Sequence, residues 1–230
     1  KDVDELFKDI PKELILGKPT VDDGLSEYEG LQLMKSIAKK NTFAEFKNYL
    51  GAGSYEHHVP AIVSSICSKG AFLTSYTPYQ AEASQGNLQI IFEFQSVISA
   101  LTGMDVSNAS LYDGASASAE GLLMALRINK NRSKVRIAGN LHPHYKAVAK
   151  QYLSPHQIEI VEIPFLQDGS LDLNAFENLI DDKTAAILLQ YPNFFGSIDD
   201  IEAFSKKAKE YGALKILSAN LMVYGLYKNA

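Results

Sequence analysis

Short apolar runs alternate with helical patterns from Ser133 onward, and this alternation limits the possible fold more than any other feature of the sequence. Four apolar runs predict strands, at residues 135–138, 158–163, 184–191 and 214–219. Three helical patterns lie between them, at residues 143–152, 173–180 and 201–211. Strands and helices in this order form a parallel sheet with helices on both faces. We therefore predict an α/β fold with a mainly parallel sheet flanked by helices.

The first part of the chain predicts helices instead of strands. Ser26 and Glu29 have the spacing of a capping box, and apolar residues follow at helical spacing from Leu31 onward. Pro60 suits the first position of a second helix, and we expect Gly70 to end that helix.

A further helix is expected over residues 88–101, closed by Gly103. We predict an N-terminal helical segment over residues 1–70, packed on the main domain, and a large α/β domain over residues 71–230. The chain starts without a methionine and stops soon after the last predicted strand, so we expect it to be a fragment.

Composition and charge argue against several classes of protein. The 230 residues carry a formal net charge of -5 and no basic stripe, so we expect no nucleic-acid partner. The longest apolar runs, such as residues 185–189, have the length of strands, and we expect no membrane association and a cytoplasmic location. Cys67 is the only cysteine, which excludes an intrachain disulfide and a cysteine-based zinc cluster, and we expect it to pack in the core.

Two loop-to-helix junctions carry many of the polar side chains that are suited to binding a ligand. The first is YTPYQAEASQG at residues 76–86, and the second is NASLYDGASASAE at residues 108–120. Small residues open a helical pattern at 113–118, so backbone N–H groups and the helix dipole there suit an anion such as a phosphate. The same residue types also begin ordinary helices, and the tyrosines at 76 and 79 are equally explained as packing residues.

Polar residues also follow the ends of the predicted strands. His142 follows the first strand, Gln190 lies near the end of the third, and Asn220 follows the fourth. Ligands of open α/β sheets bind beyond the carboxyl ends of the strands, so we expect these residues to converge with residues 113–116. A capping or solvated role explains His142 as well as a binding role does.

Other common motifs are not found in the sequence. Gly51 and Gly53 lack the third glycine and the preceding strand of a dinucleotide fingerprint. The histidine pairs at 57–58 and 142–144 lack the spacing and the carboxylate partner of a metal site, and no G-x-S-x-G nucleophile elbow occurs. A candidate phosphate site, a histidine at a strand end and a polar residue after the last strand remain. Pyridoxal phosphate sites on parallel sheets use this combination.

Four segments of the sequence carry a resemblance to a known family. They are GAGSYEHHVPAIV at 51–63, YTPYQAEASQG at 76–86, NASLYDGASASAE at 108–120 and LLQYPNFFGSIDD at 188–200. The chain closely resembles the glycine decarboxylase P-protein of the glycine cleavage system, most strongly subunit 1 of the two-subunit bacterial form, from about Glu5 to Asn229. This resemblance implies the fold of the large domain of fold-type I pyridoxal phosphate enzymes.

The resemblance also implies an activity, a cofactor and partners. In this family glycine is decarboxylated with pyridoxal phosphate, and the aminomethyl group passes to the lipoyl arm of H-protein. The implied partners are P-protein subunit 2, lipoyl H-protein and glycine.

The family's site residues can be carried over to matching positions of this sequence. The phosphate-loop position falls on Asp113, Gly114, Ala115 and Ser116. The ring-stacking position falls on His142 in the segment LHPHYKAV. The loop that lines the substrate pocket in this family corresponds to Tyr76, Tyr79, Gln80 and Glu82, with Tyr76 as the foremost candidate for facing the substrate.

Two departures from the catalytic form of the family argue against an independent active site. Asn220 stands where that form has an aspartate, and an amide cannot supply the negative charge that keeps the pyridine nitrogen protonated. In the family the Schiff-base lysine lies downstream of this segment, so we expect no catalytic residue in this chain and a missing small domain.

The resemblance therefore implies a subunit that completes a site shared with subunit 2, which carries the cofactor. The phosphate loop, His142 and Asn220 of this chain would then be vestigial. Two alternatives remain: a non-catalytic scaffold subunit, or another fold-type I enzyme that is truncated before its lysine.

Overall fold

The computed structural model describes residues 2–17, 21–73, 75, 78–80 and 83–227. Residues 1–49 and residues 50–230 form two compact units. The domain boundary that we predict at residue 70 stays a prediction.

The first unit contains helix α1 (Glu27–Ala38) and three short 3-10 helices, at Val3–Phe7, Lys12–Leu14 and Phe43–Glu45. The capping box predicted for α1 is confirmed. The backbone N–H of Ser26 donates to the Glu29 carboxylate at 3.0 Å, and the N–H of Glu29 donates to Ser26 Oγ at 3.4 Å. Two of the N–H groups at the start of the helix thereby gain partners.

The second unit begins with four helices and continues with alternating strands and helices. The four helices are α2 (Ala61–Cys67), α3 (Gly70–Leu73), α4 (Gln85–Thr102) and α5 (Gly114–Ile128). The alternating part consists of β1 (Lys134–Ala138), α6 (Pro143–Leu153), β2 (Glu159–Ile163), α7 (Leu173–Leu179), β3 (Thr184–Tyr191), α8 (Ile201–Glu210) and β4 (Leu214–Ala219). Short 3-10 helices follow α6 at Ser154–His156 and β4 at Leu221–Gly225.

The four strands form one parallel sheet in the order β2-β1-β3-β4. Helices α5 and α6 pack against each other, and α5 also packs on β3 and β4. Helix α7 packs on β2, and α8 packs on β3 and β4. Because crossovers between parallel strands are right-handed, this strand order places α6 on one face of the sheet and α7 and α8 on the other, which agrees with the contacts of α6 with α5 and of α7 with α8. The predicted α/β fold is confirmed.

The core lies between this sheet and the helices on its two faces. Strand β3 is central, and residues 185–189 are completely buried because both of its faces are covered. On the face of α7 and α8, the ring centroids of Phe176 and Phe204 lie 5.1 Å apart. Among the described helices, none is long and apolar enough to cross a membrane.

Two local expectations for the segment around α2 are wrong. Pro60 is the N-cap residue of α2 and not its first helical residue, and Gly70 begins α3 instead of ending α2. The helix ends at Cys67 with Ser68 as its C-cap residue, and the hydroxyl of Ser68 donates to the carbonyl of Ser64 in the last turn. Gly70 is not among the glycines with positive φ, so it does not form the left-handed cap that we expected.

The expectation for Cys67 is also wrong, because its side chain is exposed. Helix α2 buries no residue at all. An apolar face in a sequence indicates that a surface favours being covered, but it does not identify the element that covers it.

Candidate functional site

A cavity of 580 Å³ opens at the carboxyl ends of β1, β3 and β4. Residues from four separate parts of the second unit line it. They include Gly53 and Tyr55 from the segment before α2, His142 and Tyr145 at the start of α6, Gln190 and Pro192 at the end of β3, and Ser218, Asn220, Met222 and Tyr227 after β4. His142, Gln190 and Asn220 come together at this edge of the sheet as predicted, whereas residues 113–116, which we expected to join them, do not line the cavity.

His142 is the N-cap residue of α6, and several contacts fix its position. Its backbone N–H donates to the side-chain Oε1 of Gln190 at 2.7 Å. Its ring Nδ1 accepts from the backbone N–H of His144 at 3.1 Å, so the proton of the neutral ring is on Nε2. The centroid of the His142 ring lies 5.1 Å from that of Tyr145 and 5.2 Å from that of Phe194, and the ring of Phe194 is nearly perpendicular to it. The imidazole therefore has a defined orientation and tautomer beside the cavity.

Asn220 caps the 3-10 helix that follows β4. Its side-chain Oδ1 accepts from the backbone N–H of Met222 at 3.0 Å, and its own N–H donates to the Tyr191 carbonyl at 3.0 Å. The side chain is half-buried at the wall of the cavity. It supplies a neutral amide to the wall of the cavity and no negative charge.

The start of α5 is capped by the chain itself. Asp113 accepts from the backbone N–H of Ser116 at 2.8 Å and from the hydroxyl of Ser116 at 3.0 Å. These two bonds lower the pKa of the Asp113 carboxyl, which stabilises its charged form at the positive end of the helix. Residues 113–116 are not among the residues that line the cavity.

Tyr145 connects this helix start to the cavity. The ring of Tyr145 lines the cavity, and its hydroxyl lies against Gly114, so a Cβ added at Gly114 would overlap with that hydroxyl. The phenol and the Asp113 carboxylate therefore both lie at the first turn of α5.

The structure describes two of the four predicted substrate-loop residues, Tyr79 and Gln80. Tyr79 is 72% exposed, and Gln80 accepts through its backbone carbonyl from the N–H and the hydroxyl of Ser84. Neither residue lines the cavity. Tyr76 and Glu82 lie outside the described residues. The roles assigned to all four stay predictions.

A buried polar cluster supports the loops behind the cavity. The Asp199 carboxylate accepts from the side-chain amides of Asn140 and Asn193 at 3.0 Å each, and from the backbone N–H of Leu171 at 2.7 Å. All three polar side chains are buried. The backbone carbonyl of Asn140 accepts from the backbone N–H of Phe194, and the ring of Phe194 contacts the ring of His142. This cluster holds the β1–α6 and β3–α8 loops together.

Sequence reasoning missed Tyr145, Tyr55 and the hydrogen bond from His142 to Gln190. Both tyrosines lie in segments that resemble the family, Tyr55 in GAGSYEHHVPAIV and Tyr145 in LHPHYKAV, but the resemblance implied no role for either residue. Over the described parts of the chain, no group of three or more His, Cys, Asp or Glu side chains could hold a metal ion.

The fold and the site now define a class of protein. The parallel sheet and its helices form the fold of the large domain of fold-type I pyridoxal phosphate enzymes. A sphingosine-1-phosphate lyase of Burkholderia pseudomallei K96243 superposes with a TM-score of 0.62 at 15% identity, over 89% of this chain and 49% of that chain. A NifS-like protein superposes with a TM-score of 0.59 at 14% identity, over 75% of this chain and 48% of that chain. At such identities the likeness concerns the fold alone.

The particular family follows from closer relatives. The family model described as "Glycine cleavage system P-protein" matches residues 1–230, and the chain belongs to this family. A crystal structure of glycine decarboxylase (P-protein) of the glycine cleavage system, in inhibitor-bound form, superposes with a TM-score of 0.88 at 36% identity, over 99% of this chain and 50% of that chain.

Curated relatives carry the name of one subunit. The "Probable glycine dehydrogenase (decarboxylating) subunit 1" of Protochlamydia amoebophila (strain UWE25) is 60% identical over 230 residues, which are 100% of this chain and 52% of the relative. The protein of the same name from Carboxydothermus hydrogenoformans (strain ATCC BAA-161 / DSM 6008 / Z-2901) is 45% identical over 228 residues, covering 98% of this chain and 51% of the relative. The chain therefore spans about half the length of the curated relatives it matches. The predicted family is confirmed.

The family implies pyridoxal phosphate, and the residues of this cavity can be compared with what that cofactor needs. A bound cofactor of this type needs an open anion site for its phosphate and an acid at the ring nitrogen. In this chain Asp113 already occupies the N–H of Ser116, Tyr145 lies against Gly114, and Asn220 is an amide. These residues do not fit the cofactor, and no reaction step is assigned to it in this cavity.

Proposed function

We propose that the full-length protein is subunit 1 of a glycine dehydrogenase (decarboxylating), and that it completes a pyridoxal phosphate site shared with subunit 2. The observation that carries this proposal is the identity of 60% over all 230 residues to a relative named as that subunit. In this proposal glycine is decarboxylated at the shared site, and the aminomethyl group passes to the lipoyl arm of H-protein.

The chemistry of the cavity supports assigning the cofactor to subunit 2. When bound, pyridoxal phosphate accepts the electrons that are released as carbon dioxide leaves, and this needs a protonated ring nitrogen. The neutral side chain of Asn220 cannot stabilise that proton by charge. The cavity of this chain is then a remnant of a shared ancestral fold, and the contribution of the chain lies in residues that face its partner.

The loop before α4 is the proposed source of those residues. We assign Tyr76, Tyr79, Gln80 and Glu82 to the wall of the partner's substrate pocket, as the family resemblance implies. A phenol can orient the carboxylate of glycine without the fixed positive charge that would stabilise the ground state. The exposed side chain of Tyr79 is available for such a contact.

Borohydride trapping tests the assignment of the cofactor. The full-length protein and its presumed subunit 2 are each treated with pyridoxal phosphate and borohydride, alone and mixed, and lysine adducts are mapped by mass spectrometry. We expect an active-site adduct on subunit 2 only, and glycine decarboxylation with lipoyl H-protein only in the mixture. An adduct on a single lysine of this protein, together with activity of this protein alone, would contradict the proposal.

Tyrosine variants test the shared site. In the assembled complex, Tyr76→Phe and Tyr79→Phe should each lower the rate of decarboxylation, whereas the control Tyr152→Phe on α6 should not. Complex formation, measured by size-exclusion chromatography, should be the same for all three variants. Unchanged rates for both Tyr76→Phe and Tyr79→Phe would favour a subunit that only scaffolds its partner.

A further inference from the structure

We infer that Asp113 and Tyr145 close the anion site at the start of α5, and that these two side chains exclude a phosphorylated cofactor from the cavity of this chain. This inference rests on the proposed function and deepens it, because it names the groups that make the cavity non-catalytic.

Backbone N–H groups at the start of α5 are the donors that an anion would bind. An anion binds at a helix start because the first N–H groups of the helix have no partner within the helix. In α5 the Asp113 carboxylate binds the N–H of Ser116 at 2.8 Å and the hydroxyl of Ser116 at 3.0 Å. The two Ser116 donors that a phosphate could use are therefore engaged by an anion that is covalently part of the chain.

The charge of Asp113 and the position of the Tyr145 hydroxyl both disfavour a phosphate at this helix start. A phosphate monoester carries up to two negative charges, and the Asp113 carboxylate at the same helix start repels it. The hydroxyl of Tyr145 lies against Gly114, which would otherwise leave the first turn of the helix open on the side of the cavity. The ring of Tyr145 also contacts the His142 ring with 5.1 Å between centroids, and this contact favours the observed position of the phenol.

Opening the site is the direct test. Asp113→Ser keeps a side-chain cap and removes the charge, and Tyr145→Ala removes the phenol. The matched control is Asp172→Ser, because Asp172 caps α7 through the N–H of Ala175 at 2.9 Å and lies away from the cavity. The probe is 4′-deoxypyridoxine 5′-phosphate, which has the ring and the phosphate but no aldehyde to react with surface lysines.

Binding of this probe is measured by equilibrium dialysis on the full-length protein without its partner. We expect no saturable binding to the wild type or to Asp172→Ser at up to millimolar probe. The double variant D113S/Y145A should bind one equivalent at least tenfold more tightly than the wild type. One equivalent bound to the wild type at micromolar probe would overturn the inference, as would a folded double variant with no gain.

A second measurement decides the matter if the double variant does not fold. Pyridoxal phosphate is counted per complex of the wild-type protein with subunit 2. One equivalent per pair of subunits is expected, and a second equivalent that competes with the probe would overturn the inference. Failure of the proposed function has a different signature, since the mixture would then not decarboxylate glycine whatever the binding result.

Discussion

Replacing Asp199 by alanine should destabilise the protein far more than replacing its neighbour Asp200. Asp199 is only 6% exposed, and its carboxylate accepts three hydrogen bonds at 2.7–3.0 Å. Two of the donors are the buried side-chain amides of Asn140 and Asn193, and the third is the N–H of Leu171. Alanine would remove the acceptor of the buried Leu171 N–H, whereas both amides would keep the carbonyl of Gly169 as a partner.

The magnitude follows from the cost of such groups. A buried donor that loses its partner costs about 1–3 kcal/mol, and bonds to a charged acceptor lie toward the upper end of this range. Part of the loss is recovered when water enters the space left by the carboxylate. One donor that loses its partner and two amides that lose one of two bonds lead us to expect that Asp199→Ala reduces the free energy of unfolding by about 3 kcal/mol. Asp200→Ala removes only the N-cap bond to Ala203, at 3.0 Å, and should cost about 1 kcal/mol.

Urea unfolding of the full-length variants, followed by far-ultraviolet circular dichroism, measures both free energies. The slope of the free energy against urea should stay the same, so that the midpoint alone reports the change. If Asp199→Ala cost no more than Asp200→Ala, the carboxylate would not be the acceptor on which the two loops depend, and the reasoning would be wrong.

Two further predictions concern the core and the acid stability of the sheet. Phe176→Ala should reduce the free energy of unfolding by about 3–5 kcal/mol in the same urea assay, since its side chain is completely buried; a loss below about 1 kcal/mol would contradict the described packing. Burial raises the pKa of Asp181, but hydrogen bonds from Lys134 Nζ and Thr184 Oγ1, both at 2.8 Å, outweigh it and the net pKa is lowered. The folded state therefore binds this proton less readily than the unfolded state, and the stabilisation is present above the unfolded pKa and lost as the pH falls below about 4. Asp181→Asn should thus make stability less dependent on pH in that range, and an unchanged acid dependence would refute this.

Most of the secondary structure could be predicted because its causes are local. The strands at 184–191 and 214–219 have the predicted bounds. The first is a mostly apolar run that is buried in the parallel sheet, and the second is a half-buried edge strand. Gly103 ends α4 with a φ of 73°, a conformation that glycine adopts without steric cost. In the segment around Gly70 the same kind of rule failed. Helix α2 ends at Cys67 with Ser68 as its C-cap residue, and Gly70 has no positive φ and begins α3.

The sequence by itself determined the family and the order of strands and helices along the chain, because short motifs and periodic patterns are properties of neighbouring residues. It also identified His142 and Asn220 as residues at the strand ends, and both line the cavity. Only the tertiary structure decided how the cavity is built. Gln190 and His142 are 48 residues apart in the chain, and nothing near either residue indicates that one binds the other.

The same holds for the start of α5. In the sequence, residues 113–118 have the composition of a phosphate site and of a self-capped helix alike. The fold brings Tyr145 of α6 against Gly114 of α5, because these two helices pack on each other over the same face of the sheet. Contacts between elements that are distant in the chain depend on the packing of the whole sheet, and this is why only the folded structure distinguishes the two interpretations.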